Sequence, residues 1–175
     1  MFERFAFASE IVQHLQADKE LDPDLRAAAV RYVQARGDSP SELNTRSRDM
    51  VKSPAGSLED YRKALKMAEA AARITPWDLD ILNTLGVAQY RAQDYADALA
   101  TLERCENKRT KPAAKDLALI AMAHFKLGHA EQARSALDQV RRIMKDPDLA
   151  ARAELQSFLH EAESLIGSPQ RGKIN

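Results

Sequence analysis

LNTLGVAQYRAQDYADALATLERC, residues 82–105, is followed by LALIAMAHFKLGHAEQARSALDQV, residues 117–140. Superposed, Leu82 meets Leu117, Leu85 meets Ile120, Ala88 meets Ala123, Tyr90 meets Phe125, Ala98 meets Ala133 and Leu102 meets Leu137, at an offset of 35 residues. Upstream, YRKALKMAEAAARITP (61–76) matches the second half of the pattern, with Tyr61 over Tyr95 and Ala64 over Ala98, at an offset of 34 residues. A period of this length, built from two amphipathic helical stretches, predicts a helical solenoid. Neither half buries its apolar face alone, so neighbouring units must stack to make a core.

Local signals outside the repeat are also helical. Ala and Leu are abundant, Gly is scarce and β-branched runs are missing. Asp22-Pro23 reads as an N-cap with proline at the first helical position, and Gly37 as the stop of that helix. Ser39-Pro40-Ser41-Glu42 starts the next helix, with Glu42 placed to close a capping box on Ser39. Ser57 is a weaker cap before Tyr61, Asp78 caps 79–92, and Lys111-Pro112 precedes a helix over 113–127. Asp146-Pro147 opens a last helix over 147–166, stopped by Gly167-Ser168-Pro169. About eight helices with short connections are expected. An N-terminal helix over about 2–17 carries Phe2, Phe5, Ile11, Val12 and Leu15, to pack on Leu25, Ala29, Val30 and Val33 of the following helix.

Bulk properties exclude several classes. The 26 Lys and Arg balance 26 Asp and Glu, and no basic stripe suits a nucleic acid. Lys108-Arg109-Thr110-Lys111 reads as a solvated inter-helix loop. A single cysteine, Cys105, allows no intrachain disulfide and fits a reducing compartment. No signal-peptide pattern and no run of about 18 apolar residues occurs, so a cytoplasmic chain without membrane contact is expected.

The repeat resembles the tetratricopeptide repeat, or TPR. Leu82, Leu85 and Gly86 stand at the family's bulky–Leu–Gly positions of helix A, and Tyr95, Ala98, Leu102 and Cys105 at those of helix B. The next unit holds Leu117, Ile120 and Ala121, then Ala130, Ala133, Leu137 and Val140, with Gly128 at the turn. Gln89 and His124 replace the usual aromatic, and Gln93 the usual turn Gly. Tyr61, Ala64, Ala68, Ala71 and Pro76 form a helix B whose helix A, expected over 40–53, matches poorly. The resemblance implies an all-α fold: a short right-handed TPR-like superhelix of antiparallel helix pairs, with atypical N-terminal helices and a C-terminal capping helix. Its expected parts are an N-terminal helical segment packing on the repeats (1–53), about two and a half repeats (54–146), the cap (147–166) and a disordered tail (167–175). Phrases such as FLHEAESLI also resemble the C-terminal TPR region of large bacterial serine/threonine kinases and kinase-linked WD40 proteins, although no glycine-rich loop, HRD-like or DFG-like motif is present.

In such arrays the A helices line a concave face. The register puts Asp80, Asn83, Val87, Tyr90 and Arg91 there, then Lys115, Ala118, Met122, Phe125 and Lys126. That is an apolar strip with a polar rim, suited to a peptide or helix of a protein partner. The expected partner-binding residues are Asp80, Asn83, Val87, Tyr90, Lys115, Met122, Phe125 and Lys126. The competing reading makes Tyr90 and Phe125 core, and the module a structural or self-associating unit, such as a homodimer, whose groove its own helices fill. A carboxylate clamp of the chaperone-binding type is not expected, because Val87 and Leu119 stand where asparagines are needed.

No enzyme chemistry is expected. His124 and His129, five apart, should splay around a helix, and His160-Glu161 lacks a following ligand, so neither metal nor cofactor is expected. Cys105 reads as a packing thiol. Trp77 should pack against Leu79 or the preceding helix, the alternative being an exposed anchor for a partner. In the last helix, Leu155, Phe158, Leu159, Ala162, Leu165 and Ile166 share one side. If that helix also hides the groove, the module is autoinhibited or dimeric.

Overall fold

The computed structural model describes residues 7–167. Among them the chain forms ten helices and no strand: α1 (Ala8–Ala17), α2 (Pro23–Arg36), α3 (Pro40–Val51), α4 (Leu58–Ile74), α5 (Leu79–Arg91), α6 (Tyr95–Glu106), α7 (Ala114–Lys126), α8 (Ala130–Ile143), α9 (Pro147–Ala150) and α10 (Ala153–Ile166). The expected Phe2 and Phe5 contacts and the tail after Gly167 lie outside the described residues.

Helix starts follow local chemistry. Asp22, Ser57, Asp78 and Asp146 each accept a backbone N–H of the first turn that has no partner inside the helix. Ser39 caps α3 through the Glu42 N–H, but the Glu42 side chain does not close the box. It pairs with Arg36 at 3.3 Å instead, drawn by a full opposite charge. Gly37, with φ of 63°, ends α2. The turn between α5 and α6 requires the same left-handed conformation, supplied by Gln93 with φ of 73°. Gly128, with φ of 83°, supplies it between α7 and α8.

Three antiparallel pairs result: α3 with α4, α5 with α6, and α7 with α8. The helix A missing from the sequence pattern is therefore α3. Its register is masked because six residues (52–57) join it to α4, where three (92–94 and 127–129) join the later pairs. The Tyr61 hydroxyl holds this longer loop, accepting from the Gly56 N–H at 2.7 Å and donating to the Ser53 carbonyl at 2.8 Å.

One continuous core runs from Val51 through Tyr61, Leu82, Leu102, Leu119 and Val140 to Phe158. Gly86 lets α5 and α6 close: a Cβ there would stand 2.7 Å from Leu102 Cγ and Cδ2. Ala64, Ala98 and Ala133, each with no exposed surface, sit on successive B helices where the pairs cross. At the N-terminal end, α1 and α2 pack on each other and bury no residue completely. They are tied down by Phe7 against the cluster of Leu43, Met67 and Ile81, and by the Ala8 N–H donating to Asp38 at 2.7 Å.

At the other end the expected helix over 147–166 is broken. Ala151 and Arg152 interrupt it, with Arg152 extended (ψ 109°). No residue there is a helix breaker; tertiary packing overrides propensity and turns α10 back onto the repeats. Beyond its own B helix, each earlier A helix rests mainly on the B helix before it, α5 on α4 and α7 on α6. In contrast, α10 packs chiefly on α7, itself an A helix, and only secondarily on α8. It lies on the last pair and reaches α5 through Arg91.

Candidate functional site

The A-helix face is built by period. On α7, Lys115, Ala118, Met122 and Phe125 recur at intervals of three and four, so they share a side; on α5, Asp80, Asn83, Val87 and Tyr90 do the same. Val87 and Met122 are core residues, Met122 with no exposed surface, and Tyr90 is buried. Phe125 is half-buried, and Asp80 and Lys126 are exposed. The Tyr90 ring lies 5.5 Å from that of Tyr95, and burial pushes its phenol well above the usual range. Lys126 reaches over Tyr95 at 6.0 Å.

Arg91 organises this face. Its side chain, 5% exposed, donates from Nε to the Val51 carbonyl at the end of α3, at 3.2 Å. Both terminal nitrogens donate to Glu161 of α10, Nη2 to Oε2 at 2.8 Å. The guanidinium carbon is 5.8 Å from the Tyr90 ring centre and 5.9 Å from that of Phe158. Lys115 approaches the same Phe158 ring at 5.5 Å and pairs with Glu154 at 3.3 Å. Three helices, α3, α5 and α10, thus meet at one cation.

Asn83 joins a second, buried network. Its amide donates to Asp116, which is 1% exposed and forms an ion pair with Arg109, Nε standing 3.3 Å from its other oxygen outside hydrogen-bonding geometry. Glu106 accepts the Ala113 N–H at 3.2 Å, satisfying the start of α7 where no N-cap side chain serves. Burial raises both carboxyls, Glu106 to about 7, with the neighbouring Asp116 charge adding to it. Arg109 opposes the rise in each. The network links α5, α6 and α7. A legible signal existed: Asp116 stands 35 residues after the core residue Ile81, a carboxylate at an apolar register position.

Two expectations fail on geometry. Trp77 does not pack; it is 72% exposed, in the α4–α5 connection beside the exposed Ile74. His124 and His129 do not splay. His129 lies beyond the Gly128 turn, at the start of α8, so the chain reverses and brings the two Nδ1 atoms within 3.2 Å. Burial lowers the His124 pKa, against the pull of Glu103. Cys105 is fully buried, and burial pushes its thiol up to about 11, which keeps it protonated and unreactive. Among the described residues no three His, Cys, Asp or Glu side chains gather as metal ligands, and no helix is long and apolar enough to cross a membrane. A separate cleft of about 640 Å³ lies between the α1–α2 hairpin and α3, with Phe7, Ile11, Val33 and Leu43 among its walls.

Residues that the sequence reading left out of the site, Asp116, Phe158 and Glu161, carry most of its polar and cross-helix contacts. Phe158 and Glu161 were left out because residues 147–166 were read first as a capping helix, with the hiding of the groove only as a further case.

Residues 57–140 match the model of a family described as anaphase-promoting complex, cyclosome, subunit 3, a family of TPR-type repeats. No curated protein matches the chain. With their paired helices, their 34–35-residue period and this match, residues 57–140 are built of tetratricopeptide-type repeats.

Proposed function

We propose that the protein is a non-catalytic interaction module that holds a peptide or helix of another protein along its A-helix face. TPR-type repeats commonly mediate protein–protein contact. The observation that carries the finer reading is α10 itself: an amphipathic helix already lies on this face, with Phe158 between Lys115 and Arg91. Over the buried Val87 and Met122, the face offers the half-buried Phe125 and the charged Asp80 and Lys126, an apolar and charged combination that helix-in-groove recognition uses. The partner-binding set is Asp80, Asn83, Val87, Tyr90, Lys115, Met122, Phe125 and Lys126, joined by Arg91. The resemblance to kinase-linked TPR regions supports a place as an accessory part of a signalling protein. Charge balance supports a protein partner over nucleic acid or membrane.

A photo-crosslinking amino acid placed at Asp80, Phe125 or Lys126, on the inner face, tests this against positions Glu69 and Arg134 on the exposed sides of B helices α4 and α8. Partner capture confined to the inner positions is expected; equal capture from both faces removes the assignment.

A second reading has an observation of its own. Because α10 fills part of the face, the module can be a structural or self-associating unit. Light scattering across a concentration series separates the two: a dimer whose formation is lost on Phe158→Ala favours self-association.

A further inference from the structure

We propose that α10 is a removable internal ligand, and that the partner it stands in for is an acidic amphipathic helix with a phenylalanine four residues after one glutamate and three before another, the pattern of Glu154, Phe158 and Glu161. This rests on the interaction reading above and specifies the chemistry of its partner.

Three observations carry it. The first is packing. The central A helices bury most of their residues, ten of thirteen in α5 and nine of thirteen in α7, and the B helices α6 and α8 bury four each. In α10 two of fourteen are buried, Phe158 and Ala162. A helix so lightly embedded separates from its neighbours at small cost compared with α5 or α7.

The second is charge. The sequence of α10, AELQSFLHEAESLI, has three glutamates and no lysine or arginine. Each glutamate finds a cation on the repeats: Glu154 with Lys115 at 3.3 Å, Glu161 with Arg91, and Glu163 with Arg141 at 2.9 Å. With α10 removed, Arg91 and Lys115 lose these counter-ions. Arg91 cannot turn away, because Val51 and the Tyr90 ring fix it. A neutral or basic helix would leave these cations desolvated and unpaired, so the face selects acidic helices.

The third is connection. A four-residue helix, α9, bounded by Asp146-Pro147 on one side and the extended Arg152 on the other, joins α10 to α8. Such a joint lets α10 leave without disturbing the pairs. The tether also keeps α10 at an effective concentration of about millimolar, so a free helix at micromolar concentration competes only when the internal contact is weakened.

A fluorescein-labelled peptide of residues 153–166 is the probe, titrated by anisotropy into the full chain. The wild type is expected to bind it weakly. Phe158→Ala in the chain should tighten binding at least tenfold. So should Glu154→Gln/Glu161→Gln, which removes no buried volume and guards against a folding defect in the first variant. Peptides carrying the same substitutions should bind either opened chain at least tenfold more weakly than the parent, and added salt should weaken the parent. Unchanged affinity in both folded variants, or equal binding of a peptide with lysines in place of its glutamates, overturns the proposal. So does a doubling of mass for either opened chain in light scattering, which makes the occupant a second copy. Should the peptide fail while inner-face crosslinking to a partner persists, the acidic-helix assignment falls and the interaction reading stands.

Discussion

Gly86→Ala tests whether the repeat's helix crossing is as tight as it is drawn. Alanine is the better helix former by about 1 kcal/mol, so on an exposed helix the change would stabilise. Here the new Cβ would stand 2.7 Å from both Cγ and Cδ2 of Leu102, about 0.8–1.3 Å inside an ordinary carbon–carbon contact of about 3.5–4.0 Å. Leu102 has no exposed surface and nowhere open to retreat. Overpacking of this kind costs about 1–3 kcal/mol. The net expectation is a loss of up to about 2 kcal/mol, or a few degrees in Tm at about 2–4 °C per kcal/mol for a chain of this size. Leu102→Ala alone should cost about 2–5 kcal/mol through its cavity. In the double variant the new methyl enters the vacated space, so the cycle should show a favourable coupling of about 1–3 kcal/mol. Urea unfolding followed by circular dichroism, with unchanged m-values, gives the four stabilities. A Gly86→Ala variant more stable than wild type, or singles that add within about 0.5 kcal/mol, would refute the close crossing.

Gln93→Gly, at the left-handed turn that Gly128 fills in the next unit, should raise Tm slightly, because relief of about 1–2 kcal/mol of strain exceeds the extra chain entropy of glycine; a lower Tm counts against it. Glu106 has a folded pKa, about 7, above its unfolded value of roughly 4.3, so its favourable contribution is complete below the unfolded value and is lost as pH rises through 7. Stability should therefore fall between pH 5 and 8 by on the order of 2–3 kcal/mol from this group, and Glu106→Gln should flatten that dependence in urea titrations at each pH. Cys105 should resist thiol reagents in the native protein and react at once in denaturant; rapid native labelling would contradict its burial. Arg91→Met removes the donors to Val51 and Glu161 and should cost about 3 kcal/mol or more by urea unfolding, whereas a loss under 1 kcal/mol would show that the cation is dispensable.

The all-helical fold and the pairing of α5 to α8 were legible because both repeats keep their apolar register, from Leu82 to Leu137. The chain also marks its helix starts with Asp or Ser at Asp22, Ser39, Ser57 and Asp78, each of which caps as read. What was not legible depends on contacts distant in sequence. The pair of α3 with α4 was hidden by three extra loop residues, which shift the period without touching the pattern inside α4. The contact of His124 with His129 depends on the reversal at Gly128, and a helical wheel drawn through that turn separates residues that the fold joins. Trp77 was expected to pack against Leu79 or the preceding helix in preference to standing exposed, but its loop leaves it outside. Of the site, the periodic positions on α5 and α7 were readable. Glu161 was not, since its partner Arg91 lies 70 residues away.

Arg91 explains why one face both completes the domain and suits a ligand. On this side of α5 and α7 the groups that meet α10 are Arg91 and Lys115, which flank Phe158. A purely apolar contact there would accept any exposed apolar helix. An arginine held in place before the neighbour arrives changes the requirement. Its Nε is spent on the Val51 carbonyl at the negative end of α3, and its faces on Tyr90, so the paired Nη donors point at a fixed place with little rotamer entropy left to lose. A carboxylate arriving there gains a two-pronged, partly buried bond, as Glu161 does. Any helix lacking one leaves the buried guanidinium short of partners. The same contact that closes the core with α10 therefore sets the chemistry that a competing helix must match.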